Sequence, residues 1–364
     1  MKTQITTIDK LYNELERQRA SRQDLIADTR SITVQTADGK SIISVKSQNS
    51  TLNYPIGDLA HRQIADRLKI PFAYYDRMRM ENPKLLDINI NSWLQRNPET
   101  RMLRILDGHL RAFLSSRYRR LDHLELLQAI MPELAQMKGA VIESMGITET
   151  NLYIKVVNKS LKTEVSPGDV VMSGFVISNS EVGKGAINVS PMIYRLVCKN
   201  GLIMNEFANR KYHAGRNVEE TDSSYELFSD QTMALDDATY FSKAADIVRT
   251  AVNETQFENI VNRLRKSKQI STGNNPIQTV EILSDRFRLN DQEKASILMH
   301  FLRGGDSSLY GLTNAVTRAS QDNKDYNRAT EMEKIGGVLL NEGIANGKVP
   351  ARKSIAKTPE LLAA

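Results

Sequence analysis

The fold is decided by one stretch, residues 166–204, which reads SPGDVVMSGFVISNSEVGKGAINVSPMIYRLVCKNGLIM. Its opening Ser-Pro-Gly-Asp is a turn sequence, because proline fixes φ and glycine accepts a positive φ. Residues 170–178 follow as a β-branched, apolar strand, and Gly183-Lys184-Gly185 reverses the chain into a second strand over 186–198. The stretch therefore predicts consecutive antiparallel strands.

Two local signals describe the second strand further. Side chains alternate along a strand, so Val189 and Ile193 share an apolar face and Tyr194 lies on the other. Pro191 cannot donate to a ladder, so we expect a sheet edge or a bulge there. Lys199-Asn200-Gly201 predicts the next turn, since Asn-Gly is the strongest short hairpin signal, and a third strand should follow near 201–207.

Composition indicates a globular protein of the cytoplasm. The chain has 364 residues, of which 40% are hydrophobic and 25% charged. The lone cysteine, Cys198, excludes an intramolecular disulfide framework. No apolar run approaches the length of a spanning helix, and the N-terminus lacks an apolar signal core, so we expect no membrane association.

The rest of the chain predicts an α+β protein, with an antiparallel β-sheet core, packed helices and a helical C-terminal region. Asp38-Gly39 and Asp107-Gly108 predict hairpins, and Asp122 is a candidate cap for the helix after it. Gly304-Gly305 and Gly336-Gly337 should interrupt the C-terminal helices. We expect four segments: an N-terminal helix in 1–30, a mixed α/β core over 31–215, a mainly helical region over 216–345, and a flexible basic tail over 346–364.

Charge is segregated along the chain although the net charge is only +6. Residues 101–120 hold six arginines and one acid, and a second basic cluster occupies 263–268. Residues 217–238 hold seven acids and neither lysine nor arginine. Such segregation indicates either a basic surface for a polyanion and an acidic surface for a protein partner, or ordinary solvated faces.

The strongest local ligand signal is the loop Ser115–Arg120, between a predicted strand and a predicted helix. Arginine binds phosphate with two parallel hydrogen bonds, and serine hydroxyls can contact phosphate oxygens. The alternative is that Tyr118 packs inward and the arginines pair with carboxylates. The predicted nucleic-acid-binding residues are Arg111, Ser115, Ser116, Arg117, Tyr118, Arg119, Arg120, Lys184, Arg195, Lys199, Arg263 and Lys266.

Catalytic patterns are sparse. The five histidines are dispersed, with no Cys or His pair at metal spacing. Cys198 falls in the second predicted strand, where a small buried hydrophobe is more common than a nucleophile. Gly183-Lys184-Gly185 lacks the glycine spacing and the Lys-Ser/Thr pair of a phosphate loop. We therefore expect no catalytic residue, metal or cofactor, although no pattern excludes an enzyme.

Four blocks of the sequence carry a family resemblance. They are IPFAYYDRM (70–78), LRAFLSSRYRRLDHLELL (110–127), ISNSEVGKGAINVSPMIYRLVCKNGLI (177–203) and GLTNAVTRASQDNKDYNRATEMEKIGGVLL (311–340). With them, the chain resembles a phage/plasmid-like protein family catalogued as a domain of unknown function. The resemblance implies a prophage or mobile element in a bacterial cytoplasm, and it brings no established activity from which a catalytic residue could be carried over.

The predicted element order suggests a function. Three strands followed by a long helix, β-β-β-α, is similar to the core of the ring-forming single-strand annealing proteins. That similarity implies binding of single-stranded DNA, strand annealing or protection, a homo-oligomeric ring or filament, and a host or phage replication or recombination protein as a further partner. Two other classes stay open: a protein-binding or anti-defence factor that docks through 217–238, and a metal-dependent nucleic-acid enzyme.

Overall fold

The computed structural model describes residues 3–47, 50–204 and 230–347. This part of the chain is a mixed α and β structure with antiparallel sheets and a helical C-terminal region. Its strands are β1 (Thr3–Ile5), β2 (Gln23–Asp28), β3 (Ile32–Ala37), β4 (Lys40–Lys46), β5 (Thr51–Pro55), β6 (Thr100–Leu106), β7 (His109–Ser115), β8 (Ala140–Ile147), β9 (Leu152–Glu164), β10 (Val170–Asn179), β11 (Asn188–Arg195) and β12 (Asn200–Ile203).

The helices of the same residues are α1 (Ile8–Ser21), α2 (Asp58–Arg67), α3 (Phe72–Glu81), α4 (Pro83–Arg96), α5 (His123–Gln136), α6 (Asp230–Thr250), α7 (Glu254–Ser267), α8 (Pro276–Phe287), α9 (Asp291–Gly304), α10 (Leu309–Ala319) and α11 (Tyr326–Asn346). None of them is long and apolar enough to cross a membrane. The predicted tail after residue 347 and most of the acidic stretch, 217–229, lie outside the described residues.

The largest sheet has six strands in the order β1-β8-β9-β10-β11-β12. Its central strand β10 pairs antiparallel with β9 on one side and β11 on the other, and β12 follows β11, so the antiparallel strands predicted from the opening stretch are confirmed. Two three-stranded sheets, β2-β6-β7 and β3-β4-β5, contain the two hairpins that the Asp-Gly pairs predicted. Asp38-Gly39 and Asp107-Gly108 all have positive φ, as a two-residue hairpin turn requires.

The second strand of the opening stretch ends earlier than predicted. β11 stops at Arg195, and the chain turns over 196–199 before Asn200-Gly201 begins β12. Lys199, with φ of 49°, takes the left-handed conformation that the sequence assigned to Asn-Gly. Cys198 therefore lies in a turn and is half-buried, not inside a strand.

The position of Pro191 is also different from the prediction. β11 lies between two strands, and its register with β10 has no bulge at Pro191, which pairs with Phe175. The carbonyl of Pro191 accepts a hydrogen bond from the Met204 N–H at 2.9 Å, on the side of β12. The missing N–H points to the same side, where the pairing of β12 with β11 ends at Ile203, so proline removes at most the last bond of this ladder.

Helices cover both faces of the six-stranded sheet. Phe175 and Ile177 of β10 pack with α5 and α6 on one face, whereas Met172 and Val176 pack with Tyr326 of α11 on the other. α11 then passes the edge strand β12 without interruption, contrary to the predicted break at Gly336-Gly337. The glycines allow α11 to lie close to β12, because a Cβ on Gly337 would overlap the carbonyl oxygen of Ile203.

Candidate functional site

The residues predicted to bind nucleic acid form two groups at opposite ends of β10. The first group is the loop 115–120 with Arg111 and Lys184, which lies beside the residues that follow β10. The second is Arg195, Lys199 and α7, which lie near the beginning of β10. Ten residues of strand separate the two ends by roughly 30 Å, at about 3.3 Å per residue.

Tyr118 fixes the first group. Its hydroxyl donates to the carbonyl of Ser180 at 3.0 Å and accepts from the N–H of Gly183 at 3.2 Å. These two hydrogen bonds connect the loop after β7 with the loop after β10. The exposed Lys184 therefore lies next to the loop that contains Arg117. Ser115 and Ser116 are also exposed.

Several of the predicted arginines are already paired with carboxylates. Arg111 lies 2.8 Å from Glu181, and Arg119 pairs with Asp236, at 2.9 Å, and with Asp237, both on α6. Arg119 also lies over the ring of Tyr240, 5.0 Å from its centroid. For these two arginines the structure supports the alternative of carboxylate pairing.

Arg120 remains largely open to solvent. Its side chain is 56% exposed, and its nearest carboxylate, on Asp24, is 3.9 Å away. Arg117 and Lys184 form no ion pair with any described residue. We call Arg117, Arg120 and Lys184 the loop cations; they are the part of the first group that stays available.

The second group is more dispersed. Arg195 pairs with Asp169 at 2.6 Å. Burial alone would lower the pKa of Arg195, but Asp169 and Tyr310 outweigh burial, so the pKa is raised. Lys199 is exposed on the turn between β11 and β12. Arg263 and Lys266 lie on α7. This helix packs on one face of the six-stranded sheet, and the first turns of α11 pack on the other face. The structure therefore does not join the twelve predicted residues into one continuous surface.

A buried ionic cluster joins the sheet β2-β6-β7 to the six-stranded sheet. The guanidinium of Arg104, almost completely buried, contacts Asp24 at 2.9 Å and Asp122 at 2.8 Å, and donates to the carbonyl of Glu181 at 2.8 Å. Asp122, which the sequence predicted to cap α5, makes no cap hydrogen bond. Instead, Glu181 accepts the N–H of His123 at 2.7 Å, because Asp122 is held by arginines.

The cluster shifts two ionisation equilibria. Burial opposes the charge of Glu181, but His123, Arg111 and Arg104 outweigh it and lower the pKa of Glu181 to about 2. Burial lowers the pKa of His123 to about 4. Every carboxylate of this cluster has an arginine partner, so we interpret the cluster as a structural junction.

A separate polar cavity of about 280 Å³ lies between the six-stranded sheet and the beginning of α11. β9 contributes Lys155, and α11 contributes Glu333, whose Oε2 lies 2.6 Å from the Lys155 ammonium. Lys155 also lies 5.0 Å from the centroid of the Tyr326 ring. Glycine at position 201 leaves room for Met192, since a Cβ there would come within 2.7 Å of its sulfur and would also touch Oε1 of Glu333.

A β-bulge adds a carboxylate to this cavity. The register of β8 with β9 shifts between Ile142 and Ser144, so Ser144 lies opposite Lys155 and Glu143 has no partner. Glu143 and Ser144 therefore both reach the cavity side, although neighbouring residues of a regular strand point to opposite faces. Glu143 accepts a hydrogen bond from the Tyr194 hydroxyl at 2.6 Å.

Three groups that line this cavity, Lys155, Glu333 and Tyr194, have raised pKa values. Burial alone would lower the pKa of Lys155, but Glu333 outweighs it and the pKa is raised, so the ammonium stays charged. Burial raises the pKa of Glu333. Burial and the hydrogen bond to Glu143 raise the pKa of Tyr194, which keeps its hydroxyl protonated.

Apart from Lys199, the charged residues of the cavity were missed from the sequence. One signal was present, because Lys155 interrupts the apolar strand LYIKVV and Glu333 precedes the apolar run of α11. A charge inside such a run is rarely buried unless it is paired. Across the described residues there is no group of three or more His, Cys, Asp or Glu placed to hold a metal ion.

Comparison with known proteins gives one match. Residues 112–337, which include the cavity and the loop 115–120, match the family described as a domain of unknown function (DUF932). No curated protein and no solved structure matches the chain. Because the matched segment covers more than half of the sequence, the chain belongs to the DUF932 family.

Proposed function

We propose that the protein binds single-stranded DNA through the phosphate backbone and promotes strand annealing or protection, without breaking a bond. The observation that carries the proposal is the link made by Tyr118, which holds the loop cations Arg117, Arg120 and Lys184 on two adjacent loops. Arg120 and Lys184 are exposed and Arg117 is half-buried, and cations beside serine hydroxyls are a common arrangement for phosphate contacts.

Two further features support annealing rather than another form of DNA binding. Among the described residues, β10, β11 and β12 are followed by α6, and this β-β-β-α order supports the proposed similarity to the ring-forming annealing proteins. The resemblance to phage/plasmid-like proteins supports a role in recombination on a mobile element. The proposal includes a homo-oligomer and a replication or recombination protein as partner.

The test is fluorescence anisotropy of a labelled oligothymidine at several salt concentrations. The first variant reverses the charge of all three loop cations, to glutamate. The control reverses three exposed cations that lie on the β3–β4 hairpin and in the C-terminal helical region: Lys40, Arg303 and Lys324.

We expect the wild type and the control to bind with a salt dependence, and the loop variant to lose most of its affinity at low salt. Each lost phosphate contact reduces the slope of log K against log salt by about 0.7, so three contacts reduce it by about 2. Equal affinity of the loop variant and the control would refute the assignment to this surface. Absence of binding by the wild type would favour the docking alternative, and metal-dependent cleavage of the oligonucleotide would favour the enzyme.

A further inference from the structure

The polar cavity beside Lys155 is balanced in charge. Lys155 and Lys199 line it, and so do Glu143 and Glu333. A free anion would meet two carboxylates there, and a free cation would meet two ammonium groups. A neutral molecule with both hydrogen-bond donors and acceptors fits this lining better than either ion.

Some hydrogen-bonding capacity at the cavity is unused. The Lys155 ammonium has three N–H donors, and Glu333 is its one hydrogen-bond acceptor within the described residues. Glu143 accepts the Tyr194 hydroxyl through Oε1, and its Oε2 has no hydrogen-bond donor among the residues described. The cavity therefore presents donors on β9 and an acceptor on the bulge of β8.

The remaining walls are suited to a flat ring. Tyr194 supplies aromatic surface and Met192 supplies a polarizable thioether, whereas the ring of Tyr326 already contacts Tyr153 and Lys155. The volume of about 280 Å³ lies just below the range of drug-sized pockets, about 300–1,000 Å³, so the occupant is small. Ala329 of α11 also lines the cavity, and its small side chain leaves this space open.

We propose that this cavity binds a single nucleobase, with Lys155 donating to a ring carbonyl oxygen and Glu143 accepting from an amino group. Stacking on aromatic side chains and hydrogen bonds to the base edge are the usual means of holding an unstacked base. Guanine fits best, because its carbonyl O6 and its 2-amino group flank one edge and its purine ring fills more of the cavity than cytosine, which carries the same two kinds of group on one edge. Adenine has no carbonyl, and thymine has no amino group.

The base can come from a free nucleoside or from a bound strand, and the second source rests on the proposed function. Both share the same edge chemistry, and experiment separates them. The probes are guanosine, cytidine, adenosine and thymidine, titrated into the full chain by calorimetry, followed by oligonucleotides with and without guanine.

Two variants test the cavity. Glu143→Gln replaces one acceptor oxygen by a donor at an exposed bulge, where the fold is little affected, and Glu149→Gln changes an exposed carboxylate of the neighbouring turn that does not line the cavity. Ala329→Leu fills the cavity from α11. We expect guanosine to bind most tightly, Glu143→Gln to weaken it at least about tenfold, Ala329→Leu to abolish it, and Glu149→Gln to leave it unchanged.

The outcomes separate this proposal from the previous one. Guanosine binding that Glu143→Gln weakens supports the cavity, even if oligothymidine does not bind at all. If Glu143→Gln also weakens a guanine-containing strand but not oligothymidine, the occupant is a base of the bound strand. Absence of heat with all four nucleosides, or equal binding by wild type and both cavity variants, overturns the proposal whatever the loop cations do.

Discussion

The ammonium of Lys155 lies 2.6 Å from Oε2 of Glu333, and the two side chains are almost completely buried. This pair connects the middle of the six-stranded sheet with α11. A buried ion pair is costly to break on one side, because the remaining charge is left without a partner in a medium of low dielectric constant.

We therefore expect Lys155→Met to lower the free energy of unfolding by about 3–5 kcal/mol, as unpaired buried charges do. The double variant Lys155→Met/Glu333→Leu should recover most of that loss, because both charges are gone. Urea denaturation of the two single variants and the double variant measures this coupling. If the double variant lost as much as the sum of the single ones, the two side chains would be independent and the pair would have no structural role.

The buried histidines make stability depend on pH. Burial lowers the pKa of His123 and of His61 to about 4, against an ordinary value of 6.5. The unfolded chain then binds more protons between these values, so stability is lost as the pH falls from about 6.5 to 4. Each histidine should cost on the order of 2 kcal/mol between pH 7 and pH 5.

Melting temperatures at pH 7 and pH 5 check this expectation. His123→Phe should reduce the difference between the two temperatures, and Glu181 should not contribute in this window. Because the pKa of Glu181 is lowered to about 2, its contribution is present above about 4.5 and is lost only as the pH falls from there toward 2. A melting temperature equal at pH 7 and pH 5 would contradict the buried, neutral state of the histidines.

Gly337 should not tolerate a side chain. A Cβ would overlap the carbonyl oxygen of Ile203, which belongs to backbone and cannot rotate away. We expect Gly337→Ala to cost about 1–3 kcal/mol, as overpacking does, although alanine favours a helix. Gly304→Ala in α9 is the matched control, because a Cβ there meets nothing within 4 Å and should gain up to about 1 kcal/mol. Urea midpoints that moved equally for both variants would show that α11 can shift away from β12.

Arg119 should hold the N-terminal part of α6 in place. It pairs with Asp236 and Asp237 and lies over Tyr240. We expect Arg119→Ala to speed hydrogen exchange of the amides around residues 235–245 about tenfold, which corresponds to a loss of about 1.4 kcal/mol. Its neighbour Arg120, largely exposed, provides the control: Arg120→Ala should leave this exchange unchanged. Equal protection of α6 in both variants would mean that helix packing alone positions it.

Local signals predicted local structure well. The Asp-Gly pairs specified two hairpins because the turn requires positive φ at adjacent residues, and residues 170–178 specified β10 by composition. Charge patterns were less informative, because they count cations but not their partners. Arg111 pairs with Glu181 and Arg119 with Asp237, which are 70 and 118 residues away, and only the fold brings them together.

The polar cavity shows the same limit more strongly. Its chemistry depends on a bulge that turns Glu143 toward Tyr194. It also depends on α11, which places Glu333 beside Lys155 although the two residues are 178 positions apart in the sequence. No spacing in the sequence carries this information. A lysine inside an apolar strand was the one available indication of a buried charge.

The way α11 lies against β12 also limits how copies of this protein can associate. The backbone of the helix comes so close to Ile203 that no further strand can be added at this edge. The opposite edge offers the three residues of β1 and, beside them, residues 140–144 of β8, which contain the bulge at Glu143. Continuation of the sheet from one subunit to the next is therefore disfavoured for the described part of the chain. The subunit contacts of a ring or filament would instead lie outside this sheet, on helices, loops or the edges of the two three-stranded sheets.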